Sequence, residues 1–169
     1  MEFNEWLKQG FRQNDEHWVA AVIQHFEWLE AQERRGVIID DQPRDVRWEA
    51  PPQGVIKLNV DAGWTGSSST GFGLVARSGR GEFMTAATKL EHNRLDSLLA
   101  EAYAVRWGLQ MAAEMEMENV VIESDSLPIA NGVAHELAAI ACDFPFHVWW
   151  HDPPPVVAHA LFVDATFLD

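Results

Sequence analysis

A mixed α/β fold, with an antiparallel three-strand meander, a parallel strand and flanking helices, is predicted by three features of the sequence. Val55-Ile56-Lys57-Leu58-Asn59-Val60-Asp61 alternates apolar and polar residues, the period-two signature of a half-buried strand. Residues 96–115 switch to a helical period, with Leu98, Ala102, Val105, Leu109 and Ala112 on one stripe. Residues 119–125 then read as a short apolar strand of the kind buried in parallel pairs. Between the first strand and the helix, Gly63, Gly66 and three serines mark a loop. A second strand is predicted over 71–77, a turn at Ser78-Gly79-Arg80-Gly81, and a third strand over 82–89.

The flanks are read from the same signals. Trp18, Val19, Val22, Ile23, Phe26 and Leu29 recur at helix spacing, with Asn14 to cap and Gly36 to end a helical stretch over 1–36. Pro43, Pro51 and Pro52 mark a linker over 37–53. A further helix is expected from Ser126 through Ala130 to Ala141. The division is thus a helical extension and linker over 1–53, a domain over 54–142, and an acidic, irregular tail over 143–169 containing Trp149, Trp150 and three consecutive prolines.

The chain has 169 residues, of which 47 % are hydrophobic, enough for a packed core. No apolar run approaches the roughly 18–20 residues of a membrane span. Cys142 is the only cysteine, so no internal disulfide forms. The acidic start, Met1-Glu2-Phe3-Asn4-Glu5, lacks the layout of a secretion signal, and an intracellular placement is expected. The sequence does not choose between nucleus and cytoplasm; its only paired basic residues are Arg34-Arg35. A net charge of −14 excludes a broadly basic, nucleic-acid-coating surface. Within the middle piece, however, Arg77, Arg80, Lys89 and Arg94 sit close in sequence, and they are the candidate phosphate contacts.

Three carboxylates stand at corresponding places. Asp61 ends the first predicted strand, Asp125 ends the last, and Glu101 borders the apolar stripe of the helix between them. If the two strands are parallel neighbours, both aspartates emerge at one carboxyl edge, where open α/β sheets place their sites. Crowded carboxylates repel unless a cation neutralises them, and oxygen-only ligands select hard ions such as Mg²⁺. Taken singly, each has a plainer reading: Asp61 as a turn or cap residue, Glu101 as a solvated helix residue.

Trp48-Glu49-Ala50-Pro51-Pro52, Lys57-Leu58-Asn59-Val60-Asp61-Ala62-Gly63, Thr70-Gly71-Phe72-Gly73-Leu74-Val75-Ala76-Arg77, Ala100-Glu101-Ala102-Tyr103-Ala104 and Ile122-Glu123-Ser124-Asp125-Ser126 occur in this order. Together they resemble the plant ribonuclease H-like domain family, related to the RNase H part of retroelement reverse transcriptases. The resemblance implies an RNase H-like fold, Mg²⁺ (or Mn²⁺ in its place), and cleavage of the RNA strand of RNA–DNA hybrids. It places Asp61, Glu101 and Asp125 on the family's first three metal-binding carboxylates. Asn131-Gly132-Val133-Ala134-His135 resembles the family's last motif, with His135 where the fourth acidic residue stands. Histidine can hold a metal through one nitrogen but brings no negative charge; its plainer reading is an exposed helix residue.

One departure is large. Asp125 and Asn131 are six positions apart, where the family places a helix, a fifth strand and a mobile loop. The last strand–helix unit is therefore expected to be missing, leaving the parallel strand without an edge partner. The shortened link also predicts that the helix carrying His135 starts on the wrong side of the sheet. Catalysis is accordingly set against an inactive remnant that binds nucleic acid or a protein partner. Trp64 could stack on a sugar or base, or pack beneath the glycine-rich loop. In the tail, His147, His151, Asp152, His159 and Asp164 match no compact metal-binding spacing.

Overall fold

The computed structural model describes residues 48–124 and 131–165. The predicted helical extension over 1–36, most of the linker, Asp125 and the start of the helix predicted from Ser126 lie outside the described residues. In chain order the elements are β1 (Ile56–Thr65), β2 (Ser69–Arg77), β3 (Phe83–Glu91), α1 (Ser97–Glu114), β4 (Val120–Ser124), α2 (Gly132–Ala139), a 3₁₀ turn (Ile140–Cys142), β5 (Phe146–Trp150) and α3 (Pro155–Ala165). They form one five-stranded sheet in the order β4-β1-β2-β3-β5. The β1/β4 pair is parallel; the other three pairs are antiparallel. Among the described residues no helix is long and apolar enough to cross a membrane.

The meander, its helix and the parallel strand follow the sequence pattern closely. β1 is longer than predicted. It runs through Gly63 and Trp64 to Thr65, and Gly63 pairs with Gly71 across the β1/β2 hairpin. The reversal falls instead at Gly66, whose φ of +67° an L-residue rarely adopts. Glycine therefore marks the turn at one position and merely a paired strand position at the other.

The two faces of the sheet are covered by different helices. α1 lies on the face of Val60, Phe72 and Leu74, drawn close because Gly108 leaves room for Val60 and Ile122. Its Trp107 meets Phe72 with ring centroids 6.3 Å apart. On the opposite face α2 packs Val133 and Leu137 onto Val75 and Ala86. A methyl group at Gly71 or Gly73 would collide with the backbone of Ala138 or Ala134, so both glycines are required for this approach.

Two expectations are corrected. The segment from residue 143 is not irregular: it supplies β5, which pairs with β3, and α3. Val157 of α3 is fully buried, and Trp149 and Leu161 close the same cluster as α2. Pro155 opens α3, where its missing N–H has no helical partner to lose. The tail strand joins at the β3 edge, so β4 keeps β1 as its only described neighbour. Nor does the short link misplace the helix carrying His135, because α2 reaches the face that bears Asp61. Asn131, buried at its start, donates from Nδ2 to the Val60 carbonyl at 2.7 Å.

Candidate active site

β4 ends at Ser124, which pairs with Val60. Asp61 is the next residue of β1, just past the carboxyl end of the parallel pair. It is thus not the end of its own strand, as the alternation predicts, but it does sit at the edge where such sheets place their sites. Asp125 follows Ser124 in sequence and lies outside the described residues.

Three partners surround the buried Asp61 carboxyl. Its Oδ2 is 2.8 Å from Nδ1 of His135. The Ala62 backbone N–H and the Glu101 side chain are its other hydrogen-bond partners. Glu101 in turn accepts from the Ser124 hydroxyl at 2.7 Å. Two carboxyl groups in hydrogen-bond contact need a proton or a cation between them. Burial pushes the Asp61 carboxyl above the ordinary carboxylate range, against the lowering pull of His135, the Ala62 N–H and Glu101. The donor set is oxygen-rich, which suits a hard divalent ion. Among the described residues, no three His, Cys, Asp or Glu side chains gather in a group able to hold a metal ion.

Asn131 is the positioning residue that sequence reasoning left without a role. Its bond to the Val60 carbonyl anchors the start of α2 one residue before Asp61. The His135 backbone N–H then bonds back to the Asn131 carbonyl, placing the imidazole one turn along and above Asp61. The signal available in the sequence is the four-residue spacing from Asn131 to His135.

The four basic candidates do not form one strip. Arg77 is 1 % exposed. Its guanidinium lies 3.8 Å above the Trp48 ring, donates to Asn59 Oδ1 at 3.0 Å and pairs with Asp164 at 2.6 Å. It is a structural cation, unavailable to a phosphate. Arg80 is exposed in the β2–β3 turn. Lys89 and Arg94 belong to the other end of β3, about 25 Å away at the usual rise per strand residue. Lys89 lies over Phe72, and Arg94 lies over Trp64. Trp64 is exposed rather than packed beneath the loop. In the tail, His147 packs on Phe144 and Trp149.

Residues 59–139 match the model of a family described as reverse transcriptase-like. The chain carries an RNase H-like domain. This RNase H-like domain spans β1 to α2, and with them Asp61, Glu101, Asp125 and His135; β5 and α3 lie beyond the matched stretch. No curated protein and no solved structure matches the chain.

Proposed function

We propose that the domain is a Mg²⁺-dependent endonuclease that hydrolyses the RNA strand of RNA–DNA hybrids. The observation that supports this most is the convergence of Asp61 from β1 with Glu101 from α1 at the edge where β4 ends. A buried carboxyl and a second carboxyl held together form a seat for a cation.

Asp61 and Asp125 would hold the ions, Glu101 would hold one and orient the attacking water, and His135 would complete the set. Bound Mg²⁺, or Mn²⁺ in its place, would supply charge neutralisation and an activated water. The protein's own part is positional. Ser124 keeps one oxygen of Glu101 occupied and so fixes its carboxylate, and Ala62 and His135 fix that of Asp61. The test is incubation of the full chain with a labelled RNA–DNA hybrid. Cleavage that needs Mg²⁺ and disappears in Asp61→Asn is expected; no cleavage by the wild-type chain with either metal would refute the assignment.

One observation favours a second reading, an inactive domain that binds nucleic acid. His135 Nδ1 occupies Asp61 Oδ2 at 2.8 Å, taking an oxygen that a cation would use. Salt-sensitive binding of the hybrid without cleavage supports that reading.

A further inference from the structure

Trp64 lies three residues beyond Asp61 on β1, about 10 Å along the strand, on the stretch of edge that β4 leaves unpaired. On the same face of β1, Leu58 and Val60 are completely buried, whereas Trp64 is 55 % exposed. Its ring is nevertheless held in place. The indole N–H donates to the Leu95 carbonyl at 2.9 Å, and the Arg94 guanidinium lies 4.4 Å from the ring centroid. Arg94 is exposed and has no ion pair among the described residues. The Arg94–Leu95 segment leads directly into α1, the helix that carries Glu101. Strand alternation puts the Trp64 ring on the α1 face of β1, with Arg94 beside it and Glu101 on α1. Asp61 leaves the strand on the α2 face and meets Glu101 at the carboxyl end of the β1/β4 pair.

We propose that Trp64 and Arg94 form a stacking shelf for a nucleotide of the strand that passes Asp61 and Glu101. The aromatic–guanidinium layer takes the flat face of a base, and the charge of Arg94 takes the adjoining phosphate. Aromatic faces accept any base, so the contact carries affinity without sequence preference. Stacking is also insensitive to the repulsion that a chain of net charge −14 exerts on phosphates. A pinned edge and an open face suit this role; a ring serving only the core would be covered. The proposal rests on the nucleic-acid reading of the site.

Binding of a short fluorescein-labelled RNA–DNA hybrid to the full chain, followed by anisotropy with Ca²⁺ replacing Mg²⁺, tests it. Trp64→Leu is expected to weaken binding about tenfold, the scale of one lost base–aromatic stack, while Trp64→Phe retains most of it. Arg94→Gln is expected to reduce the slope of log affinity against log salt by about one, the mark of one lost phosphate contact. Thermal melts identify any variant that has lost its fold, and the Arg94→Gln slope decides the matter if Trp64→Leu has. Wild-type binding with unchanged affinity in Trp64→Leu, or an unchanged slope in Arg94→Gln should Trp64→Leu not fold, overturns the shelf and leaves the nucleic-acid reading standing. A wild-type chain that does not bind the hybrid overturns both.

Discussion

Arg77 and Asp164, 87 positions apart, form an ion pair of 2.6 Å in which the guanidinium is 1 % exposed and the carboxylate 18 %. The pair ties α3 to β2 and closes the layer of Trp48 and Asn59 over that end of the sheet. Removing the carboxylate strands a buried charge, and Asp164→Ala is expected to cost about 3 kcal/mol in a urea melt. Removing both charges is a different matter. Arg77→Met with Asp164→Ala is expected to recover part of that loss, since an apolar replacement avoids the uncompensated charge. Strictly additive losses in the double variant would show that the two side chains do not act as a pair.

The pH dependence of stability follows from Asp61. Its carboxyl in the folded state titrates above its ordinary value of 3.8, with burial as the leading cause. The native state therefore holds this proton more tightly than the unfolded chain does. The resulting stabilisation is present in full below the unfolded value and is lost as pH rises through the raised folded one. Asp61→Asn removes the buried charge, so it is expected to melt higher than wild type at neutral pH without metal. The gap should close on acidification below the ordinary carboxylate range. A gap that widens in acid would mean that the ionised form, not the neutral one, is favoured by the fold.

The parts of the structure legible in the sequence are those with strong local periodicity. Alternation at Ile56, Leu58 and Val60 placed β1, and the stripe through Ala102, Val105 and Ala112 placed α1 within one residue of each end. The candidate carboxyl pair was legible too, because strand, helix and strand carried Asp61, Glu101 and Asp125 in matching positions. What escaped depends on distant chain. The five residues of β5 are too few to show alternation, and only their pairing with β3 makes them a strand. Pro155 is a helix breaker in most positions and an opener at the first, which composition alone does not distinguish. The burial of Arg77 depends on Trp48 and Asp164 arriving from opposite ends of the described chain.

The close seat of α2 on β2 is expected to be intolerant of a single methyl group. An alanine at Gly73 would meet the Ala134 carbonyl, the Ala138 nitrogen and Leu137 Cβ. Backbone atoms cannot rotate away, so the helix must lift. Gly73→Ala is expected to cost about 2–3 kcal/mol, the upper range for overpacking. Hydrogen exchange should report the same event locally, with faster exchange in α2 than in β1. An unchanged melting temperature would mean that α2 sits farther from the sheet than these contacts require.

His135 provides the sharpest test of how the site is charged. Its side chain is 62 % exposed, against 9 % for Asp61, and it bridges the buried carboxyl to solvent through Nδ1. A neutral imidazole contributes no charge to cation binding, while a carboxylate at the same position adds one. His135→Asp is therefore expected to tighten Mg²⁺ uptake, measured calorimetrically on the full chain, by about tenfold, the low end of what changing a residue at the metal does. The same change adds a third carboxylate beside Asp61 and Glu101 when metal is absent, so the apo variant should melt below wild type and regain the difference as Mg²⁺ is added. His135→Asn separates the charge from the geometry: it removes the imidazole without adding a negative group and should leave Mg²⁺ uptake no stronger than in wild type. Equal affinities for wild type and His135→Asp would place the cation seat away from the α2 face of Asp61.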